Sequence, residues 1–356
     1  MSKRGLYIHV PFCRKKCPYC DFYSVGYSRE QAEKYADAVV RNLGFYDEAF
    51  DTVYFGGGTP ILLYEEIPRI LSVCKSSENA EITVECNPLE MDRKTLEALR
   101  FAGVNRLSVG VQSLNDGELA ALGRSHDSEQ AKRAILLARE VGFSDISADL
   151  MLAIPGQGRD SLSKTIEQLC GLPITHVSAY LLKIEPNTLF GKNPPILPDE
   201  DETAALYLQA VGELSERGFL QYEISSFAKN DAKSRHNLKY WRREEYLGIG
   251  PAAHSFYNGK RFAVGRNLRE FIESPRQNEV ITDDFPNALE EEIMLGLRLS
   301  EGIPKRLWEQ VYGGLASIPK KYYRLDDERL SLTPEGFLVS NEIISVLLGK
   351  LEQEHL

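Results

Sequence analysis

Three cysteines stand close together near the start of the chain, at Cys13, Cys17 and Cys20. Thiolates are soft ligands that suit iron–sulfur clusters, zinc or copper. A four-iron cluster usually takes four cysteines, so three neighbouring thiols would hold three irons and leave one iron open. An open iron can chelate a small molecule through an amine and a carboxylate. The loop therefore predicts an iron–sulfur centre that binds a small molecule.

A zinc site is the alternative interpretation, because short cysteine spacings also occur in zinc proteins. A structural zinc needs a fourth ligand, and His9 could complete a site of three cysteines and one histidine. Asp21 is a poorer candidate. The remaining cysteines are isolated and form no second pair: Cys74, Cys86 and Cys170. The spacing favours a cluster without excluding zinc.

The composition is that of an ordinary globular protein, with 43% hydrophobic residues in a chain of 356. A net charge of −10 argues against general nucleic-acid binding, which needs a basic face. No apolar run approaches the roughly 20 residues that span a bilayer. Pro11 and Cys13 interrupt any apolar stretch of a signal peptide. Clustered cysteines without a disulfide framework predict a cytoplasmic protein.

The elements that would position the cysteine loop alternate between strand and helix. The predicted strands are Gly5–Pro11, Thr52–Phe55, Glu81–Cys86, Arg106–Val111, Asp145–Leu152 and His176–Leu182. The predicted helices between them are Arg29–Gly44, Ile67–Cys74, Asp92–Ala102, Ser128–Val141 and Ser161–Leu172. This alternation implies an α/β fold of parallel strands with helical crossovers. Six units instead of eight predict an open, three-quarter parallel β/α barrel.

Polar residues mark the carboxyl end of each predicted strand, where the active sites of α/β barrels form. They are Tyr7, His9, Thr59, Glu85, Gln112, Asp149 and Tyr180. An unpaired buried carboxylate is costly, so these residues either cap helices and pair with buried arginines or line one polar pocket. Arg124 could add a contact to a carboxylate, although a solvated surface charge is the commoner role of an arginine.

The regular alternation of predicted strands and helices ends after Leu182. On this basis the chain divides into three predicted domains: residues 1–190, 191–284 and 285–356. The middle segment predicts a helix at Thr203–Gly218, a strand at Gln221–Phe227 and a glycine-rich turn at Leu247–Phe256. The last segment predicts helix, helix, hairpin and helix, in a winged-helix-like module. Because its helices carry many acidic residues, we expect a packing or interaction surface there.

Two further segments admit a chemical and a plain structural interpretation. Gly56–Thr59 follows a strand, and its amides and carbonyls could hold the amine and carboxylate of the chelated molecule; otherwise it is a tight turn.

His236 could be an axial ligand of haem iron, with Tyr240 and Trp241 on the same helical face. Alternatively, Arg235–Trp241 is a polar segment packed on the barrel mouth, with Asn237 as a cap. His254 is another candidate ligand.

Together these motifs resemble the HemN/HemW branch of the radical S-adenosylmethionine (SAM) superfamily. The resemblance rests on five segments: Tyr7–Cys13, Cys13–Cys20, Gly56–Pro60, Gly110–Ser113 and Ile154–Gln157. It implies a [4Fe–4S] cluster on Cys13, Cys17 and Cys20. It implies SAM contacts from Tyr7, Tyr19, Gly57, Gly58, Thr59, Glu85, Gln112, Arg124 and Asp149.

Two branches compete within this resemblance. The HemN branch decarboxylates coproporphyrinogen III oxidatively, has a long N-terminal extension and carries a fourth cysteine two residues after the third. Here Phe22 occupies that position, and twelve residues precede Cys13. The members of the HemW branch are similar to haem chaperones and carry a His-Asn-x-x-Tyr-Trp motif. This chain matches that motif at His236, Asn237, Tyr240 and Trp241.

The resemblance therefore implies a haem chaperone that passes haem to acceptor haemoproteins, with the dehydrogenase-like oxidoreductase as the alternative. The predicted ligands are a [4Fe–4S] cluster, SAM and haem. A homodimer and a peripheral membrane contact made through acceptor proteins are left open, and no nucleic acid is expected.

Overall fold

In the computed structural model, which describes residues 4–354, strands and helices alternate through the first half of the chain. The elements are β1 (Arg4–Val10), β2 (Phe12–Cys13), β3 (Val25–Gly26), α1 (Arg29–Leu43), β4 (Phe50–Gly57), α2 (Ile67–Val73), β5 (Ser76–Cys86), α3 (Arg93–Phe101), β6 (Arg106–Gln112), α4 (Asp116–Ala121), α5 (Ser128–Val141), β7 (Asp145–Leu152), α6 (Arg159–Cys170), β8 (His176–Leu181) and α7 (Leu189–Lys192). The six predicted strands and the five helices between them are confirmed, with small shifts at their ends.

The crossover helices begin and end where local chemistry satisfies their free backbone groups. The side chain of Ser28 accepts a hydrogen bond from the amide of Gln31 at the start of α1. Helix α5 opens with a capping box in which Asp127 and Gln130 bond each other's backbone amides. It ends at Gly142, whose φ of 106° is accessible to glycine at little cost.

The second half of the chain adds shorter strands, more helices and a small separate sheet. Its elements are α8 (Glu200–Glu216), β9 (Leu220–Gln221), β10 (Ser226–Ala228), α9 (Arg235–Trp241), β11 (Tyr246–Ile249), β12 (His254–Tyr257), β13 (Lys260–Val264), α10 (Leu268–Glu273), β14 (Glu279–Asp283), α11 (Ala288–Gly296), β15 (Ile303–Pro304), α12 (Lys305–Trp308), β16 (Tyr323–Leu325), β17 (Arg329–Leu332), α13 (Pro334–Leu338) and α14 (Ser340–Glu354).

The main sheet has twelve strands in the order β14-β13-β12-β11-β1-β4-β5-β6-β7-β8-β10-β9. Neighbours from β11 through β8 are parallel, and the strands outside them are antiparallel. The two end strands do not pair with each other within residues 4–354, so the sheet is open. An open, mostly parallel α/β sheet with helical crossovers was predicted.

Two predictions for the middle segment were wrong. The expected glycine-rich turn contains β11, which pairs with β1 as an additional parallel strand: Leu6 lies opposite Leu247 and Ile8 opposite Ile249. Four residues that include a glycine carry too little local signal to be recognised as a strand. The expected single strand at Gln221–Phe227 folds back on itself instead, so that Phe227 pairs with Gln221 in a short hairpin.

The last segment contains the predicted helices and hairpin in the predicted order. Strand β15 joins the hairpin to make a three-stranded sheet, and the second predicted helix continues from α12 as a 3-10 helix over Glu309–Ser317. One hydrophobic core cluster extends from Leu6 to Leu351, across all three predicted segments. The domain boundaries therefore stay a prediction. No helix in the described part of the chain is long and apolar enough to cross a membrane.

Candidate functional site

The cysteine loop leaves the carboxyl end of β1 and lies at the edge of the parallel sheet. Its cysteines are unpaired and partly buried. Two neighbouring side chains donate hydrogen bonds to sulfur: Thr59 Oγ1 lies 3.5 Å from Cys13 Sγ, and Arg124 Nη1 lies 3.4 Å from Cys17 Sγ. Donors of this kind stabilise thiolates, the form in which cysteine binds metal. The donor set fits an iron–sulfur cluster.

His9 is poorly suited to complete a zinc site. Its Nδ1 is hydrogen-bonded to the Tyr7 hydroxyl at 3.0 Å, and its Nε2 to the Tyr23 carbonyl at 2.9 Å. Both ring nitrogens are thus engaged within the protein. In residues 4–354, no three or more histidine, cysteine, aspartate or glutamate side chains, the three loop cysteines included, are grouped so as to hold a metal ion in this conformation, so the fit of the loop to a cluster rests on its donor types.

A cavity of about 410 Å³ lies between the cysteine loop and the carboxyl ends of the strands, and we call it the strand-end cavity. It brings together most of the predicted site residues: Cys13, Cys17, Tyr19, Cys20, Gly57, Gly58, Thr59, Glu85, Gln112, Arg124 and Asp149. Tyr180 and Asn237 also line it. The expectation that the strand ends share one polar pocket agrees with this arrangement, while the ligand contacts themselves stay a prediction.

Glu85 and Asp149 place carboxyl groups on the wall of this cavity, half-buried and largely surrounded by protein. Burial raises the pKa of Glu85 to about 7, although its oxygens accept hydrogen bonds from the Tyr54 hydroxyl (2.8 Å) and the Gly57 amide (3.0 Å). Burial also raises the pKa of Asp149 to about 6, against the opposing hydrogen bond donated by Ser108 (3.1 Å). Two such groups favour a ligand that brings positive charge, because a nearby cation stabilises their ionised forms.

Arg124 and Gln112 form a second polar wall of the strand-end cavity. Arg124 Nη2 donates to the Gly110 carbonyl at 2.9 Å, while its Nε is buried without a hydrogen-bond partner. An unused buried donor fits a ligand carboxylate. Gln112 ends β6 with a φ of 68°, a conformation that costs a non-glycine residue about 1–3 kcal/mol and that occurs often at functional sites.

The glycine segment lines the strand-end cavity, but its amides are engaged within the protein, and its ligand contact stays a prediction. The Gly57 amide donates to Glu85, the Gly58 amide donates to the Val10 carbonyl at 2.8 Å, and the Thr59 amide donates to the Phe12 carbonyl at 2.7 Å. Since all three amides are engaged, a ligand contact from this segment has to come from its carbonyl oxygens. The segment fastens the end of β4 to the start of the cysteine loop.

A second cavity of about 550 Å³ is also lined by residues of the cysteine loop, and we call it the aromatic cavity. It is lined by Tyr7, His9, Tyr19, Cys20, Asp21, Phe22, Tyr23, Glu185, Tyr240, Tyr246, Ala252, His254 and Arg266. Tyr7, predicted as a SAM contact, lies here and not among the residues of the strand-end cavity. Tyr19, Cys20 and Phe22 line both cavities, so the loop is their common wall.

His236 is fully buried beneath the aromatic cavity. Its Nδ1 is hydrogen-bonded to Thr52 Oγ1 and its Nε2 to the Tyr240 hydroxyl, each at 2.8 Å. Its ring stacks on Tyr54 with centroids 5.1 Å apart. Burial lowers the pKa of His236 to about 3, so the ring is neutral at pH 7. In this conformation His236 has no free nitrogen for haem iron, and its role as ligand stays a prediction.

The other three residues of the predicted haem motif lie in three different surroundings. Asn237 lines the strand-end cavity, and Tyr240 lines the aromatic cavity. Trp241 packs against a small apolar cluster that includes Tyr222 and Leu238. Helix α9 does form, but Ser234 caps it and Asn237 does not. The four motif residues are therefore not brought together on one surface.

Sequence reasoning missed several residues of the strand-end cavity, namely Tyr54, Asn87, Arg106, Ser108, Met151 and Ser178. Arg106 was the one with a usable signal. An arginine inside an apolar strand is rarely buried without a partner. It is 1% exposed and lies 3.7 Å from Asp145. Tyr54 donates a hydrogen bond to Glu85, and Ser108 donates one to Asp149. The alternation of polar and apolar residues along a strand does not reveal which polar residues make such hydrogen bonds.

Comparison with known proteins supports the same class of fold and site. A family model described as the radical SAM superfamily matches residues 7–169, and one described as the HemN C-terminal domain matches residues 285–317. The structure of the coproporphyrinogen III oxidase HemN from Escherichia coli is similar with a TM-score of 0.82 and 21% identity, covering 97% of this chain and 90% of that one. The fold is that of the radical SAM superfamily.

Curated relatives narrow this class. The heme chaperone HemW of Bacillus subtilis (strain 168) is 34% identical over 98% of this chain and 100% of that protein. HemW of Escherichia coli (strain K12) is 36% identical over 97% and 98%. The mitochondrial radical S-adenosyl methionine domain-containing protein 1 of Danio rerio is 34% identical over 98% and 87%. The chain belongs to the HemW family.

Proposed function

We propose that this chain is a cytoplasmic haem chaperone that binds haem and delivers it to acceptor haemoproteins. The observation that carries the proposal is that the cysteine loop lines two cavities. One contains the carboxyl groups of Glu85 and Asp149, and the other is lined largely by aromatic side chains. The curated names of the HemW relatives support haem as the cargo.

In this proposal Cys13, Cys17 and Cys20 hold a [4Fe–4S] cluster, and SAM lies in the strand-end cavity. The cluster, when bound, supplies an open iron that chelates SAM through its amine and carboxylate. Arg124 holds the ligand carboxylate through its unused Nε, and Glu85 and Asp149 face its positive charge and hydroxyl groups.

Seven more side chains complete the proposed SAM site and haem motif. Gln112 and Tyr19 close the walls of the strand-end cavity, and Asn237 reaches it from α9. We assign Tyr7 and Tyr240 to the wall of the aromatic cavity. His236 fixes the Tyr240 hydroxyl, and Trp241 anchors the helix that carries both.

The cluster is tested by anaerobic reconstitution with iron and sulfide. Wild type and Cys74→Ser should take up iron and sulfide and show broad visible absorbance, because Cys74 lies outside the loop. Cys17→Ser should lose most of both. Zinc in anaerobically purified protein, or a full cluster in Cys17→Ser, would contradict the assignment.

The chaperone function is tested with haem-loaded protein and an apo-haemoprotein as acceptor. Transfer of haem, followed by the acceptor's own spectrum, is the expected result. The same protein, given SAM, a reductant and coproporphyrinogen III, should leave the propionate carboxylates intact. Loss of those carboxylates would replace the chaperone proposal with the HemN-like oxidative decarboxylation.

A further inference from the structure

We propose that haem binds in the aromatic cavity with His254 as its iron ligand and Arg266 as the partner of its propionates. This inference rests on the proposed haem-binding function and assigns its site. Haem needs a flat apolar slot, a donor atom for iron and positive charge for two carboxylates. The aromatic cavity combines aromatic side chains, the imidazole of His254 and the guanidinium of Arg266.

Among the histidines of residues 4–354, His254 is the one whose ring is exposed and available to iron. His9 and His236 engage both ring nitrogens, as described above. His176 does the same, with Nδ1 2.7 Å from Ser147 Oγ and Nε2 2.8 Å from the Tyr222 hydroxyl. His126 is 3% exposed, and its Nε2 is hydrogen-bonded to the Val111 carbonyl. His254 is exposed, and its ring makes no hydrogen bond within residues 4–354.

The backbone holds His254 firmly at the cavity. It opens β12 and pairs with Ala263 on β13. Gly248 packs so closely against the His254 carbonyl that a Cβ there would overlap it. The turn before His254 has positive φ values, 108° at Gly250 and 71° at Ala252. His254 follows this turn and lies at the wall of the aromatic cavity. A ligand on a fixed strand end loses little conformational entropy on binding.

The aromatic walls suit a porphyrin and leave the histidine as the donor. Phe22 is 61% exposed and stands at the rim. Tyr240 and Tyr246 pack edge to face with centroids 4.5 Å apart. Burial raises the pKa of Tyr7, Tyr240 and Tyr246, so their hydroxyls stay protonated and are poor iron ligands at pH 7. Burial, followed by the charge of Arg266, lowers the pKa of His254, which keeps its imidazole neutral.

Charge at the rim is consistent with carboxylate recognition. Arg266 is exposed on the cavity wall and free to swing toward a propionate. Two acidic residues, Asp21 and Glu185, share the rim. Lys183 neutralises Glu185 through an ion pair of 2.6 Å. The guanidinium fork of Arg266 can therefore hold a haem carboxylate in the two-point geometry that arginine favours.

The test is a haemin titration of the anaerobically reconstituted protein, recorded as difference spectra against the cluster-loaded form. Wild type should give a shifted Soret band. His254→Ala should bind haemin at least tenfold more weakly and lose the shift, and free imidazole should restore it by occupying the space left by the ring. His126→Gln, a buried histidine outside the cavity, should behave as wild type.

Two porphyrin probes separate the parts of the site. Iron-free protoporphyrin should bind His254→Ala and wild type equally, because it needs no axial ligand. Arg266→Ala should weaken haemin at least threefold but leave haemin dimethyl ester unchanged, since the ester carries no carboxylates. Cluster absorbance equal to wild type shows that each variant is folded.

The outcomes distinguish this inference from the function on which it rests. A wild-type protein that binds no haemin would overturn both. A wild-type protein that binds haemin, together with an unchanged Soret band in His254→Ala, would overturn the assignment of His254 alone. An effect of Arg266→Ala that is equal for haemin and its ester would overturn the propionate contact.

Discussion

Glu85 gives the ligand-free protein a pH-dependent stability that a single substitution should remove. In Glu85→Gln the amide oxygen can still accept from Tyr54, but the amide nitrogen cannot accept from the Gly57 amide. The exposed Glu78 lies on the same strand, β5, so Glu78→Gln is a matched control. The comparison isolates the effect of burying one carboxyl group.

The sign and size follow from the pKa of Glu85. It rises from 4.5 to about 7 on folding. The folded state therefore holds its proton more tightly, and the stabilisation is complete below pH 4.5 and is lost as pH rises through 7. This shift corresponds to about 3 kcal/mol, most of which is lost between pH 5 and pH 8. The lost Gly57 hydrogen bond costs the variant about 1 kcal/mol at every pH.

Urea unfolding of the cluster-free protein at pH 5 and pH 8 measures this difference. Glu85→Gln should be close to wild type in unfolding free energy at pH 5 and about 2 kcal/mol more stable at pH 8. Subtracting wild type cancels titratable groups distant from Glu85. Asp149 is coupled to Glu85, since its charge contributes to the raised pKa of Glu85, and the measured difference therefore includes its response. Glu78→Gln should differ from wild type by less than about 0.5 kcal/mol at both values. If the difference in unfolding free energy between Glu85→Gln and wild type were the same at pH 5 and pH 8, the argument would be refuted.

Two further substitutions probe the strand-end cavity. Gly57→Ala should destabilise the protein by about 3 kcal/mol in urea unfolding, because the φ of Gly57 is 108° and an added Cβ would lie 2.6 Å from an imidazole carbon of His9. Gly103 has a similar φ of 98° but open space around it, so the control Gly103→Ala should cost about 1 kcal/mol. Arg124→Met should weaken SAM binding to the reconstituted protein at least tenfold in calorimetry, whereas the exposed Arg133→Met should not change it. Equal costs for the two alanine variants, or unchanged SAM affinity in Arg124→Met, would contradict the geometry proposed for each.

The parallel sheet and most residues of the strand-end cavity could be predicted from sequence because they depend on local periodicity and one topological rule. Strands that recur with helices between them are parallel, and their carboxyl ends meet at one edge. Glu85, Gln112 and Asp149 therefore come together even though they are far apart in the chain. Strand β11 could not be predicted, since its four residues become a strand only by pairing with β1.

Whether a histidine can bind iron depends on what occupies its ring nitrogens, and the sequence does not record that. Spacing correctly placed His236 and Tyr240 on adjacent turns of α9. The hydrogen bond from Thr52, 184 residues away, engages the other ring nitrogen, and burial excludes solvent from both. His254 carries a weaker sequence signal, but its short hairpin leaves the ring exposed at the aromatic cavity. In the haem site that we propose, long-range burial therefore reverses the order in which the motif would rank the two histidines as iron ligands.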